Sequence, residues 1–294
     1  MRQVFGNRRA IAFFLAPALL VYIGVIVVPV GWSLVYSVFT GSPASGFAFA
    51  GLKNFRALFA DPTIPQTLWF TVKYATVLTV GQIVIGYSLA LLFKFVLRRS
   101  STFIRTLVFF PVVLPTVAIA LLFAQLFAVT PQAGPVDSII QLFGGHPVDW
   151  FVSGSHAFVV IIAMDMWRSV GLFAVILYVG LLDIPEEVIE SARIDGASGF
   201  SLLRRIILPM SRPIVAAATI FALNADLKVF DSILALNNGG PGTATTPLNL
   251  YMFQESFNYD NWGYGSTIAL LITGLSLVVT VVVFRSLRRD ITKD

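Results

Sequence analysis

Five charged side chains sit inside stretches otherwise apolar enough to cross a membrane: Asp165 and Arg168 in one, Asp226, Lys228 and Asp231 in another. Asp165 and Arg168, three residues apart, share a helical face and can pair. Asn224, Lys228 and Asp231, spaced by four and three, fall on roughly one side of a helix, with Asp226 on a somewhat different face. A charge at the centre of a spanning helix costs at least ~2.5–3.5 kcal/mol, so such groups face a cavity or one another. Two readings stay open for each: a structural ion pair that closes the bundle, or a lining group on a path for a polar solute. On the second, Trp167, Asn224 and Phe230 add aromatic faces and hydrogen-bonding groups. Bond-making chemistry has no comparable support. No nucleophile–base pair is visible, so no catalytic residue is assigned. The only two histidines, His146 and His156, have Asp137 and Asp149 near them and no cysteine anywhere, an unfavourable set for a metal site.

The longest run that is both charged and orderly is Asp183–Pro209, with three glutamates and three arginines around an Asp-Gly turn. Asp183 is placed to N-cap a helix, with Glu186 completing a capping box and Pro185 in the first turn. That helix sets Ile184, Val188 and Ala192 on one face and Glu186, Glu187, Glu190 and Arg193 on the other. Asp195-Gly196 ends it, since glycine takes a left-handed conformation cheaply. Ser198 is placed to cap a second short helix, with Phe200, Leu203 and Ile207 on its apolar side and Arg204 and Arg205 towards water or lipid headgroups. Pro209 and Pro213 are expected to stop it. Physics alone leaves two uses: amphipathic helices resting on the membrane surface, or a docking surface for something soluble.

The elements that must carry these groups are membrane helices. The chain is 57% hydrophobic and 12% charged, about half the charge of a soluble domain. The expected spans are Ala10–Thr40, Gln66–Phe95, Ile104–Val129, Ala157–Leu182, Ile214–Leu236 and Gly265–Phe284, with Pro17 and Pro29 kinking the first and Pro111 and Pro115 breaking the third. Between them Gly41–Pro65, Thr130–Ser155 and Asn237–Asn261 read as loops. Residues 1–9 form a basic N-terminus, 10–284 one six-helix, all-α polytopic domain containing the loop 183–209, and 285–294 a basic tail. Fifteen of the twenty Lys and Arg lie at the termini, in the connection after the second span, or in the charged loop with Arg212. Positive-inside topology therefore puts both termini and the loop 183–209 in the cytoplasm of a cell membrane. The net charge of +5 is a topology signal beside apolar runs and implies no nucleic acid. Gly239-Gly240-Pro241-Gly242-Thr243 lacks the Gly-Lys-Ser/Thr ending of a phosphate loop and reads as a turn, with docking of an outer partner as the other possibility.

Glu190-Ser191-Ala192, Asp195-Gly196-Ala197 and Ile206-Ile207-Leu208-Pro209 together resemble the signature cytoplasmic loop of permease subunits of ATP-binding-cassette importers, with Ser191 in place of the usual first alanine. The resemblance continues through Trp167 and Gly171, Leu181-Leu182-Asp183-Ile184-Pro185-Glu186, Phe230-Asp231, Asn238-Gly239-Gly240-Pro241-Gly242 with Thr245, and Gly263-Tyr264-Gly265. These are similar to the first of two permeases in maltose-type and glycerol-phosphate-type importers of prokaryotes. The resemblance implies a type I importer permease fold, a homologous second permease, two ATP-binding subunits at the cytoplasmic face and an extracytoplasmic solute-binding protein. It implies ATP and Mg at the partner subunits, with no cofactor bound by this chain. It makes Glu187, Val188, Glu190, Ser191, Ala192, Asp195, Gly196, Ala197 and Phe200 the coupling surface, with Glu190 as a salt-bridging residue, Gly196 as the turn, and Val188, Ala192, Ala197 and Phe200 as packing. The cargo is then a sugar, oligosaccharide or polyol, and Asp165, Trp167, Arg168, Asn224, Lys228, Phe230 and Asp231 are candidates for its path. An ion-coupled secondary carrier using Asp226 or Asp231 is the competing reading, although no internal repeat supports it.

Overall fold

The computed structural model describes residues 8–97, 101–129 and 132–291. Arg2, Arg98, Arg99 and Lys293, all used in the topology argument, lie outside the described residues. Among those residues, five helices are long and apolar enough to span a membrane: Ile11–Tyr36, Thr63–Val96, Gly154–Leu182, Gly199–Asp226 and Trp262–Arg285. A sixth span results if the pair Thr102–Val113 and Thr116–Leu126, bent by 94°, is counted as one. Pro115 stands at that bend, where it supplies no N–H and pushes the residue before it out of helical conformation. Pro111, expected to break the same span, lies inside a continuous helix.

The chain divides into two units, residues 1–61 with 251–273 and residues 62–250 with 274–294. In the first unit, α1 (Arg8–Tyr22) runs through a widened π segment (Ile23–Val27) into α2 (Val28–Tyr36). Pro17 is carried inside α1, and Pro29 falls in the first turn of α2, where a missing N–H costs least. An antiparallel hairpin follows, β1 (Phe39–Ser42) with β2 (Gly46–Phe49), pairing Phe39 with Phe49 and Ser42 with Gly46. After α3 (Lys53–Ala60), the unit resumes in the C-terminal part of the chain. Buried Asn54 ties it together, its Nδ2 donating to the Ser37 and Phe39 carbonyls at 2.9 and 2.7 Å. The segment 41–65, expected to be a loop, thus carries half a hairpin and a helix.

The second unit holds α4 (Thr63–Leu91, continued by the π segment Leu92–Val96), α5 (Ser101–Val113), α6 (Thr116–Leu126), α7 (Pro135–Leu142) and α8 (Gly154–Leu182). It then has α9 (Glu186–Ile194), α10 (Gly199–Leu202, continued by Leu203–Ile207), α11 (Leu208–Asp226) and α12 (Asp231–Asn237). The Leu248–Phe253 helix, α13, and the last helix, α14 (Trp262–Ile291), each pass between the units. Here α8 is the axis, packing on α4, α5, α6, α11 and α12. Its buried stripe of Val160, Ile161, Met164, Phe173, Ala174, Leu177 and Leu181 repeats at helical spacing. Pro209 and Pro213 do not interrupt the chain between α10 and α11. Pro209 sits in the first turn of α11 and Pro213 within it, and the π segment before them absorbs the change in hydrogen bonding.

Small residues let these helices approach closely, as membrane packing requires. A Cβ at Gly86 would lie 3.1 Å from the Ala174 backbone nitrogen. One at Gly171 would overlap the Val108 carbonyl oxygen, because α5 passes directly over it. Gly171→Val is therefore expected to cost about 1–3 kcal/mol by overpacking. A lower thermal midpoint of the detergent-solubilised protein checks this, and an unchanged midpoint contradicts the close packing of α5 on α8.

Candidate functional site

The loop between α8 and α11 is built from the end of α9. Asp195 holds the C-cap position and Gly196 takes φ +86°. The Ala197 amide donates to the Ala192 carbonyl at 2.8 Å and the Gly196 amide to that of Arg193 at 3.1 Å. These two bonds form a Schellman motif, which closes the helix and reverses the chain. Ala192, Ile189, Ile184, Leu202 and Ile207 then bury against Leu177 and Leu181 of α8, so the loop is fixed to the span that precedes it.

Several local expectations are corrected by this geometry. Pro185, with extended ψ, holds the N-cap position of α9, while Asp183 holds the C-cap position of α8 and is not the N-cap expected. Ile184 is buried but precedes the helix, so it does not set the phase of α9. The inward face is Ile189 and Ala192, three apart, and Val188 is only half-buried. Ser198 stands at the N-cap of α10 without a side-chain bond. Phe200 is 73% exposed and Leu202 takes the buried place expected for it. Ile194, passed over in the sequence, is 86% exposed. Glu187, Glu190, Ser191, Asp195 and Gly196 are exposed and Ala197 is half-buried, so two bare apolar side chains stand among charges on the loop's free surface. Ala192 faces inward and supports that surface from beneath.

The polar groups of the spans form a second cluster, also in the second unit. Asp165 is fully buried on α8. Its Oδ2 accepts from Tyr74 Oη at 2.7 Å and Ser232 Oγ at 3.0 Å, and its Oδ1 pairs with Arg168 Nε at 3.2 Å. The expected i, i+3 pair is thus present, embedded in a wider network. Ser169 Oγ donates to the Asp165 carbonyl at 2.6 Å and accepts from Gln82 Nε2 at 2.8 Å. Gln82 Nε2 also lies 3.4 Å from Asp226 Oδ1, and Thr79 Oγ1 donates to Asp226 Oδ2 at 2.7 Å. The buried Gln82 Oε1 has no partner among the described residues.

Asn224, Lys228 and Asp231 do not share one helical face. α11 ends at Asp226, residues 227–230 leave the helix, and Asp231 opens α12. Asn249 Nδ2 donates to the Lys228 carbonyl at 3.0 Å, satisfying an acceptor that the break releases. Lys228 and Asp231 are exposed, Phe230 is half-buried, and Asn224 is held by Thr280 of α14, Nδ2 to Oγ1 at 2.9 Å. Trp167, 43% exposed, tilts against Phe123 at 5.9 Å. The sequence reading missed Tyr74, Thr79, Gln82, Ser169 and Ser232. Gln82, strongly polar in the middle of an apolar span, was the available signal.

The glycine-rich turn folds upon itself. Asn237 Nδ2 donates to the Gly240 carbonyl at 2.7 Å, Thr245 Oγ1 to the same carbonyl at 2.6 Å, and the Gly239 amide to Asn237 Oδ1 at 3.2 Å. Thr243 Oγ1 reaches outside the segment, donating to Gln66 Oε1 of α4 at 3.1 Å, so the turn is braced against that helix.

Comparison with known proteins follows the same lines. The chain is 33% identical over 291 residues, 98% of its length and 92% of the relative's, to the sulfoquinovosyl glycerol transport system permease protein SmoG of Agrobacterium fabrum. It is 30% identical to the sn-glycerol-3-phosphate transport system permease protein UgpA of Escherichia coli O157:H7, covering 97% of this chain and 96% of that one. With the trehalose/maltose transport system permease protein MalF of Thermococcus litoralis it shares 31% identity, over 82% and 81% of the two chains. The fold matches a crystal structure of a bacterial ABC transporter that imports the acidic polysaccharide alginate, with a TM-score of 0.84, 20% identity and full coverage of both chains. A family profile described as "Binding-protein-dependent transport system inner membrane component" matches residues 82–293. Fold, loop and relatives agree: this chain belongs to the family of binding-protein-dependent transport system inner membrane components.

Proposed function

We propose that this chain is one of two homologous permeases in an ATP-driven importer and that it passes a sugar, oligosaccharide or related polyol received from an extracytoplasmic solute-binding protein. The names of the relatives, which concern sulfoquinovosyl glycerol, trehalose and maltose, and glycerol phosphate, support this cargo class. ATP and Mg belong to two ATP-binding subunits at the cytoplasmic face, and this chain supplies no catalytic group. Both termini and the loop 183–209 lie on that same face.

The observation that carries the reading is the Schellman-closed loop, buried against α8 on one side and presenting Ile194 and Phe200 among Glu187, Glu190 and Asp195 on the other. Glu190 pairs with a cation of the ATP-binding subunit, Ile194 and Phe200 enter its apolar depressions, and Ser191 leaves room for close approach. Force reaches the spans because Ile189, Ala192 and Leu202 join the loop to the α8 core. The ATP-bound partner must bind one permease state more tightly than the other, since equal affinity shifts nothing. Solute then meets the groups around the Asp165–Arg168 and Asp226 network, with Trp167, Phe230, Asn224, Lys228 and Asp231 at its margins. Family membership sets aside an ion-coupled carrier built on Asp226 or Asp231.

The test is the double variant Ile194→Glu with Phe200→Asp. Two apolar anchors of a small interface are worth ~2 kcal/mol each when truncated, so ATPase co-purification is expected to fall on the order of 100-fold or more. Undiminished co-purification with normal ATP-driven uptake would show that the loop is not the docking surface.

A further inference from the structure

The first unit contains a polar cavity of about 380 Å³. Its chemistry-bearing lining is Lys53 of α3, Asp61 after it, and Tyr251, Glu255, Asn261 and Tyr264. The volume holds a single hexose or a smaller polyol. Asp61 is locked in place, its Oδ2 accepting from the hydroxyls of both Tyr251 and Tyr264 at 2.6 Å. The Tyr264 phenol donates its proton to Asp61 and keeps lone pairs to accept from a ligand, while Tyr251 is shared between Asp61 and the Glu255 carboxyl. Asn261 Nδ2 reaches Glu255 Oε2 at 3.4 Å, which leaves that amide with donor capacity. The Lys53 ammonium has no ion-pair partner among the described residues.

We propose that this cavity is a second binding site of the permease, an outer subsite that takes a hydroxyl-rich solute of monosaccharide size. The proposal rests on the carbohydrate cargo and on the outward placement of the segments 41–65 and 237–261. Two carboxylates, an amide and an ammonium around one cavity offer acceptors and donors in the mixture that vicinal hydroxyls satisfy. Tyr251 and Tyr264 add ring surface for the apolar face of a sugar ring. A purely cationic or purely anionic ligand fits less well, because Lys53 opposes the first and the carboxylates the second. Burial raises the Glu255 carboxyl from its ordinary value, against the hydrogen bonds from Asn261 and Tyr251 that lower it. An outer subsite of this kind would hold solute after its release from the binding protein.

The test uses the assembled complex in lipid nanodiscs without the solute-binding protein. Saturation-transfer NMR is recorded with glucose, maltose and sn-glycerol 3-phosphate as probes, and uptake of the same compounds is measured with the full system. At least one probe is expected to show transfer, and the variant Lys53→Ala with Glu255→Gln is expected to weaken its binding roughly tenfold through lost charge-assisted hydrogen bonds. Asp61→Asn, which keeps an acceptor for both tyrosines, is expected to weaken it less. Transfer that persists unchanged in the double variant overturns the subsite. So does the absence of transfer from wild type when the full system takes up one of the probes, a result that leaves the carbohydrate reading standing. Absence of both transfer and uptake for every probe overturns the two together.

Discussion

Replacing Gly196 with proline is expected to abolish ATP-driven uptake while the chain still inserts in the membrane. Gly196 sits at φ +86° and its amide donates to the Arg193 carbonyl at 3.1 Å. Proline locks φ near −65° and has no N–H, so the variant loses both the turn and the bond, at a cost of about 3 kcal/mol or more. That corresponds to on the order of 100-fold fewer complexes with the loop correctly presented. Gly196→Ala separates strain from shape. No atom lies within 4 Å of an added Cβ, so only the left-handed backbone is penalised, by roughly 1–2 kcal/mol. Partial loss of uptake is expected there. Glu190→Lys, exposed and remote from the turn, is expected to lower ATPase association without loosening the loop. Normal uptake in the proline variant of a fully assembled complex would mean that the turn does not transmit the stroke.

The second large effect concerns Asp165, where substitution strikes stability before transport. Asp165→Ala leaves the buried hydroxyls of Tyr74 and Ser232 without their acceptor and Arg168 without its counter-charge. Breaking a buried pair by removing one partner costs about 3–5 kcal/mol in soluble proteins. Neutral hydrogen bonds between membrane helices are weaker, on the order of 0.6 kcal/mol each, so about 3 kcal/mol is expected here. Asp165→Asn, which keeps an acceptor oxygen, should recover part of it. Asp231→Ala, at an exposed site, should change stability by no more than ~0.5 kcal/mol. Thermal unfolding of the detergent-solubilised complex measures all three. If Asp165→Ala melts like wild type yet fails to transport, Asp165 acts on the solute rather than on the bundle.

These two residues also mark what could be read from the chain. Long charge-free runs required helices at depth in a membrane, because no other open backbone survives there. The Asp-Gly turn was legible because the need for a positive φ selects glycine. Harder to see was which face of α9 turns inward. Ile184 looked like part of the helical stripe, but Pro185 starts the helix after it, and packing on Leu177 and Leu181 chose Ile189 and Ala192 instead. The break after Asp226 had no local signal. Leu227-Lys228-Val229-Phe230 contains neither glycine nor proline, and the stabilising bond from Asn249 arrives from a distant segment. Nor could the partners of Asp165 and Asp226 be chosen from sequence. Tyr74, Thr79, Gln82 and Ser232 are uncharged and belong to other helices, so only the packing of α4 and α12 against α8 identifies them. The segments between spans were read as loops because short amphipathic helices such as Lys53–Ala60 and Pro135–Leu142 carry too few apolar residues to stand out beside the spans.

The chain contains no cysteine, so one introduced thiol makes its labelling report on one position. The most direct measurement places it at Ile194 and follows labelling by a membrane-impermeant maleimide in inside-out vesicles, with and without the ATP-binding subunits. Leu142→Cys, equally bare at 81% exposed but on a segment assigned to the opposite face, serves as the control. The account predicts that Ile194→Cys labels readily in the stripped vesicles and roughly tenfold or more slowly once the ATP-binding subunits are bound and water is excluded from the interface, while Leu142→Cys stays unlabelled throughout. Equal labelling of Ile194→Cys with and without those subunits, or labelling of Leu142→Cys from the cytoplasmic side, would contradict it.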